Sequence, residues 1–361
     1  MVWNNTLTDL LNVDYPIIQA PMLGVTSPEM VAGISNAGGL GSLPVGGLSP
    51  EKTRELIQKV KQLTDKPFVV NLFAHNIPEY NQEEAEAMRS FLQDLKNEQG
   101  FSAEIPELDS LKGYTYKEQI AILIEENVPV VSFTFGIPDD ASLLQLKQNG
   151  TILIGTATCV DEAILLEQKG VDAITLQGIE AGGHRGSFLY DKLPQVGLMA
   201  LVPMTAKVVN VPLIASGAIN SGATIKAAFA LRAIGVQIGT AFIPSTESVA
   251  IPAYKEALAT AKDTSSSLTQ AFSGRWARGI HNAFMDQVEH SGIAIPPYPV
   301  QNSLTGTLRT EAQQQNKGQW TNLWAGQAAS MYVENKSSAE ILMDIIKDTE
   351  LAKLSQQYDY I

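Results

Sequence analysis

The sequence predicts a closed (β/α)8 barrel of the TIM type, with an insertion after the third strand and a C-terminal helical extension. Three observations predict it. Short apolar runs alternate with helix-spaced segments through residue 243. Several of these runs are nearly continuous in apolar residues, as strands buried on both faces require. The runs number eight, the count of a closed parallel barrel. An open doubly wound sheet is the rival architecture. The chain has 361 residues with 45% hydrophobic content, which suits one such barrel with additions.

The expected strands lie at 15–20, 38–44, 67–73, 128–135, 151–157, 172–177, 211–216 and 235–240. Helical spacing occupies 50–63, 116–127, 139–148, 160–169 and 221–231. Ser49-Pro50 and Asn220-Ser221 read as helix starts. Residues 75–115 form a long Glu- and Gln-rich connection, read as an extra helix plus a loop. The barrel is expected over 1–244. The tail, 245–361, is expected to pack over the barrel mouth, with helices near 250–262, 265–273 and 338–349. Pro296–Gln301 in that tail is too rich in proline for regular helix.

Composition narrows the function. Lysine plus arginine total 25 against 38 acidic residues, a formal charge of −13. Such a surface repels phosphate backbones and anionic lipids, so neither nucleic acid nor membrane is an expected partner. The first 14 residues lack a basic cluster followed by an apolar run, so no signal peptide is expected. The single cysteine, Cys159, has no internal disulfide partner, and a reducing, cytoplasmic setting is the expectation. Cys159 itself is read as structural or pocket-lining. One cysteine and four scattered histidines lack ligand spacing, so no metal is expected. The residues carry no indication of oligomeric state.

In such a barrel the chemistry lies at the C-terminal ends of the strands, and phosphate commonly binds after strands 7 and 8. Strand 7 runs into Ser216-Gly217-Ala218-Ile219-Asn220, and strand 8 into Gln237-Ile238-Gly239-Thr240. Gly217 and Gly239 would let backbone N–H groups approach a phosphate, and Thr240 would add a hydroxyl. The helix starting near Ser221, or a short helix after strand 8, would point its N-terminus at the anion. Each glycine alone could equally relieve crowding at a strand end.

Strand 6 runs into Gln177-Gly178-Ile179-Glu180-Ala181-Gly182-Gly183-His184-Arg185-Gly186, the most informative stretch. Its glycines suit a loop that bends sharply against a ligand. A neutral His184 imidazole there can take a proton from an acidic carbon. Gln177 can reach a ring N or O, and Glu180 and Arg185 can pair or orient the loop. The plain alternative is a surface loop with an incidental histidine. Asn71 interrupts an apolar run at the end of strand 3, so its amide needs a partner, either a ligand or backbone. Met22, after strand 1, suits the face of an aromatic ring or ordinary core packing. His75 is a pocket residue at most, and His281 and His290 are expected to be structural.

These residues carry a resemblance. QAPM (19–22), NAGGLGSL (36–43), VNLF (70–73), QGIEAGGHRG (177–186), ASGAI (215–219) and VQIGTAF (236–242) resemble the nitronate monooxygenase family, formerly called 2-nitropropane dioxygenase. PYPVQN (297–302) and LWAGQ (323–327) are similar to its bacterial, class I members. The resemblance implies an FMN-dependent enzyme that oxidises alkyl nitronates such as propionate 3-nitronate with O₂. The products are a carbonyl compound and nitrite or nitrate, which suits detoxification. It implies His184 as catalytic base. It implies FMN contacts from Met22, Asn71, Gln177, Gly182, Gly183, Gly217, Gln237, Ile238, Gly239 and Thr240. Arg185 and His75 are further candidates for a substrate carboxylate. The nearest rivals are an FMN-dependent enoyl-acyl-carrier-protein reductase, which shares the GGLG run and an EAGGH loop, and an NAD(P)H:quinone reductase. Gln177-Gly178 before the loop, and the 75–115 insertion, favour the monooxygenase. A non-catalytic flavin-binding protein is the reading from a different class; it would need no base at His184.

Overall fold

A strand buried on both faces is apolar along most of its length, and the eight expected runs all pair in one parallel sheet. The computed structural model describes residues 2–111, 113–329 and 335–352. In chain order the strands are β1 (Ile17–Gln19), β2 (Gly41–Pro44), β3 (Phe68–Phe73), β4 (Val130–Thr134), β5 (Ile152–Ala157), β6 (Ala173–Gln177), β7 (Gly183–His184), β8 (Leu213–Ser216), β9 (Gly235–Ile238), β10 (Ser266–Thr269) and β11 (Ala277–Ile280). The large sheet runs β1-β9-β8-β6-β5-β4-β3-β2. It closes through Leu40, which donates its N–H to Ile17 O at 3.0 Å and accepts from Gln19 N–H at 2.9 Å. The result is a nearly closed eight-stranded barrel of the type the sequence predicts, its seam bridged at Leu40.

Ile18, Leu40, Val69, Val130, Ile154, Ala173 and Ile214 form one apolar cluster with Leu7 and Leu11 of the helix Thr6–Leu11. That helix, which the sequence reading left unassigned, is fixed by Asn5. The Asn5 side chain accepts from Leu7 N–H and Thr8 N–H and donates to Ile234 O at 2.8 Å. The larger cluster lies between the strands and the outer helices.

The insertion after β3 carries the helix Gln82–Glu98. Its Ala85, Met88, Leu92 and Leu95 share a separate core with Phe272, Phe284, Leu304 and Leu308 of the tail. Insertion and tail therefore pack on each other. The expected helix at 265–273 is instead β10 and a turn. Ser266–Thr269 pairs antiparallel with β11, and β11 pairs with β7 of the glycine-rich loop. Sheet pairing overrides a helical spacing that offered only a short apolar face. The proline-rich stretch is non-helical through Pro299, and a helix unassigned from sequence, Val300–Gln314, begins directly after it. Ser338–Leu351 packs against the outer helices Pro28–Asn36 and Gly222–Ala230, so that part of the tail completes the ring rather than covering the mouth. Among the described residues, no helix is long and apolar enough to cross a membrane.

Candidate active site

Parallel strands of a barrel deliver their last residues to one end, and here those ends and the tail enclose a cavity of about 440 Å³. That lies within the roughly 300–1,000 Å³ of small-molecule and cofactor sites. Met22, Asn71, Gln177, Gly182, Gly183, His184, Gly217, Gln237, Gly239 and Thr240 all line it. Ile238 does not; its side chain is 1% exposed in the core between strands and helices.

The His184 loop is held from two sides. From the barrel, Gln177 Nε2 donates to His184 O at 2.9 Å, and Gly186 N–H donates to Gln177 Oε1 at 2.9 Å. Both ends of the Gln177 amide are thus engaged by the loop. From the tail, β7 pairs Ala277 with His184 and Arg278 with Gly183, and Arg185 N–H donates to Trp276 O. Gly182 lies so close to the tail that a Cβ there would come within 2.5 Å of Ala325 C and Gly326 N. Gly183, by contrast, has φ +74 and open space where a Cβ would stand.

The half-buried His184 lines the cavity. Its Nε2 lies 2.8 Å from Ser273 Oγ. Phe135 and Trp324 stand 5.6 and 5.3 Å away, centroid to centroid. Burial, reinforced by the Arg275 and Arg309 cations, holds its pKa down to about 3. The imidazole is therefore neutral at physiological pH, and the same burial and cations oppose its protonation until an anion offsets them.

Arg309 is the one cationic residue that lines the cavity among the described residues. It donates to Asn322 Oδ1 at 3.1 Å, and to Asn302 O and Oδ1 at 2.8 and 2.9 Å. Its Nε is buried without a partner, and no carboxylate among the described residues pairs with it. Burial lowers its pKa to about 10, so it stays charged. A half-buried cation without a counter-charge, facing a cavity, favours an anionic ligand. Tyr298, whose hydroxyl burial raises to about 12, lines the same wall.

Several expectations resolve differently. Arg185 is fully buried and donates to Gly178 O at 2.6 Å and Gln177 O at 2.9 Å, so it braces the loop rather than meeting a substrate. Glu180 does not pair with it; its carboxylate accepts from Leu198 N–H at 3.0 Å. The helix end at Ser221 is already filled, because Gly222 N–H donates to Asp348 Oδ2 and Ser221 Oγ caps Thr224 N–H. The short helix after β9, Thr240–Phe242, is the one at the cavity. His75 Nδ1 bonds Phe73 O at 3.2 Å, and its ring stands 4.8 Å from Tyr298, behind the wall. His281 and His290 bond Asp286 outside the cavity. Cys159 precedes the helix Val160–Gln168, and burial raises its thiol to about 11, so it is no nucleophile. No group of three or more His, Cys, Asp or Glu among the described residues is placed to hold a metal. The sequence reading missed Ser273, Arg275, Arg309 and Trp324. The only signal near them was the resemblance at 297–302 and 323–327.

The nitronate monooxygenase family model matches residues 4–348. The chain belongs to the nitronate monooxygenase family. A probable nitronate monooxygenase of Staphylococcus saprophyticus is 41% identical over 350 residues, covering 96% of this chain and 98% of the relative. One from Staphylococcus haemolyticus is 43% identical over 331 residues, with 91% and 92% covered. Among solved structures, a nitroalkane oxidase from Streptomyces ansochromogenes superposes with a TM-score of 0.86 at 33% identity, covering 96% of this chain and 98% of that one. FabK from Thermotoga maritima superposes at 0.76 with 29% identity and 96% of each chain covered.

Nitronate monooxygenases are oxidoreductases, and the family generally uses a flavin. The cavity fits one. Gln237 has no side-chain partner among the described residues, and Asn71 bonds only Ser132 Oγ through Nδ2, leaving Oδ1 unmatched. Both amides line the cavity, where a heteroaromatic ring edge would satisfy them. At the other end, Gly217 turns away from β8 at φ +130, and Thr240 Oγ1 accepts from Gly326 N–H at 3.1 Å. The Thr240 hydroxyl proton remains for a phosphate.

Proposed function

We propose that this protein is an FMN-dependent nitronate monooxygenase. Small alkyl nitronates such as propionate 3-nitronate are its substrates, O₂ its co-substrate, and His184 its catalytic base. The observation that carries the reading is a neutral, tethered imidazole lining the same cavity as the half-buried Arg309 cation, the unmatched Asn71 Oδ1 and the free Gln237 amide. In this reading Asn71 and Gln237 meet the isoalloxazine edge. Gly217, Gly239 and Thr240 hold the phosphate. Met22, Gly182 and Gly183 shape the wall, Gln177 acts through the loop it ties, and Ile238 contributes backbone alone. FMN supplies the electron chemistry when bound. The protein's own part is positional and electrostatic. Arg309 attracts the anionic nitronate, and for a neutral nitroalkane His184 removes the α-proton. Phe135, Tyr298 and Trp324 line or back this end and exclude water. The division into a flavin barrel over 1–244 and a tail that shapes its mouth belongs to the same reading.

The test is anaerobic mixing of purified protein with propionate 3-nitronate or with NADH and NADPH, followed by flavin absorbance. Flavin reduction by the nitronate and none by the nicotinamides is the expected result. Bleaching by nicotinamides alone would make the protein a reductase, the activity class of the enoyl-reductase reading, and would overturn the proposal. His184→Ala should lose nitroalkane turnover far more than nitronate turnover, since a preformed nitronate has no α-proton to remove. Equal loss on both sinks the base role.

A further inference from the structure

The contacts of one buried hydroxyl identify which nitrogen of His184 does the work. Ser273 is 1% exposed, and its Oγ has three polar neighbours. They are His184 Nε2 at 2.8 Å, Arg275 O at 3.2 Å and Arg275 N–H at 3.3 Å. A hydroxyl has one proton to give and two lone pairs to receive with. The Arg275 amide can only donate, and the Arg275 carbonyl can only accept. No other donor reaches that carbonyl among the described residues. Giving the hydroxyl proton to Arg275 O leaves Oγ to accept from Arg275 N–H and from His184 Nε2–H, and every group is satisfied. The opposite arrangement gives the hydroxyl proton to Nε2. It strands Arg275 O and places a proton on Nδ1, which has no protein acceptor among the described residues. The carbonyl decides between them, since a backbone C=O beside so buried a serine is rarely left without a donor, whereas Nδ1 faces the cavity in either case.

We propose that Ser273 is a positioning residue that fixes His184 as the Nε2–H tautomer, leaving Nδ1 to receive the substrate's α-proton. The inference rests on His184 being the base, but the tautomer can be measured apart from that role. In the step, the C–H bond pair stays with the substrate and spreads into its nitro group, giving the nitronate. The proton moves to Nδ1. The resulting imidazolium keeps its Nε2–H bond to Ser273, so no second proton has to move. Tautomer selection through the distal nitrogen is a general device for orienting imidazoles.

The rest of the structure holds Ser273 in place for this role. The turn that carries it is pinned to the helix Val300–Gln314, where Gln301 Nε2 donates to Ala271 O at 2.7 Å and Thr305 Oγ1 to Phe272 O at 2.6 Å. The imidazole's own backbone is clamped by Gln177 and by the β7–β11 pairing. Both partners of the Nε2–Oγ contact are therefore fixed independently of any ligand.

The experiment is ¹⁵N-histidine NMR on the FMN-loaded protein, with long-range ¹⁵N–¹H correlations separating the two ring nitrogens. Four histidines make the spectrum assignable. Wild type is expected to show His184 protonated at Nε2 and bare at Nδ1. An Nδ1–H signal in wild type overturns the proposal without any variant having to fold. In Ser273→Ala the second tautomer should appear, and in Ser273→Thr, which keeps the hydroxyl, the Nε2–H form should return. Ser273→Ala should lower kcat on nitroethane about tenfold, a fraction of the roughly 10²–10⁴-fold that positioned proton transfer supplies. Its kcat on preformed ethyl nitronate should change little. An unchanged tautomer together with an unchanged nitroethane-to-nitronate ratio overturns the positioning role. The expected tautomer shift, with nitroethane turnover equally insensitive to Ser273 and to His184, instead overturns the base reading on which the proposal rests.

Discussion

Replacing Gly182 by alanine tests how tightly the His184 loop is pressed onto the tail. A Cβ at Gly182 would stand 2.5 Å from Ala325 C and Gly326 N, and 2.9 Å from Ala325 Cα. All three are backbone atoms, so no side-chain rotation makes room. Ordinary contact begins near 3.4 Å, so one backbone must retreat by about 0.9 Å. Overpacking of this kind costs roughly 1–3 kcal/mol. The retreat occurs beside His184, and a misplacement of about 1 Å at a reacting group costs on the order of 10²-fold in rate. Gly182→Ala is therefore expected to lower Tm and to cut nitroethane turnover about 10²-fold, read by steady-state kinetics and thermal denaturation. Gly292→Ala is the control. It has φ +71 with nothing near its missing Cβ and lies away from the cavity. It should lose stability and keep wild-type kcat. Wild-type Tm and wild-type kcat in Gly182→Ala would refute the close approach.

Other perturbations read separate parts of the site. Arg309→Met removes the cation beside the cavity; hydrogen bonds to a charged group contribute about 1.5–3 kcal/mol, so KM for ethyl nitronate should rise on the order of tenfold to a hundredfold. An unchanged KM would show that Arg309 does not meet the substrate. His184 sits at about 3 in the folded protein against an ordinary 6.5. The unfolded chain therefore takes up a proton below about 6.5 that the native state refuses, and stability attributable to this residue is lost as pH falls from 6.5 toward 3. His184→Asn should flatten that part of the stability profile measured by urea denaturation; an identical acid slope in both proteins contradicts the assignment. Cys159, held near 11, should react with iodoacetamide at pH 7.5 far more slowly than free cysteine, and mass spectrometry of timed samples decides it.

The barrel was legible because strands buried on both faces leave largely apolar runs such as Phe68–Phe73 and Ile152–Ala157. The small sheet was not. Ser266–Thr269 and Ala277–Ile280 are short and partly polar, and their strand character comes from each other and from Gly183–His184, far away in sequence. Cavity residues at strand ends were legible because the fold dictates where those ends gather. Their partners were not. Gln177 lines the cavity as expected of a strand end, but its tie to the loop was hidden, because its partners are Gly186 N–H and His184 O rather than anything its own strand reveals. Asp348 occupying the helix end at Gly222 is likewise a contact across most of the chain. Ser273 and Arg309 carried no local signal, since an isolated serine or arginine acquires its meaning only from what it touches.

The helix Ser338–Leu351 fills a groove between Pro28–Asn36 and Gly222–Ala230, burying Leu342, Ile345 and Ile346 there. During synthesis these two walls emerge early and late, and the wedge between them emerges last. A nascent chain thus carries an apolar slot on its flank until residues 338–351 have left the ribosome. Until then Gly222 N–H lacks the Asp348 carboxylate that it meets in the finished molecule. Chains stalled before that point would be the aggregation-prone species, and protection of the slot matters after the barrel strands are laid down rather than while they form.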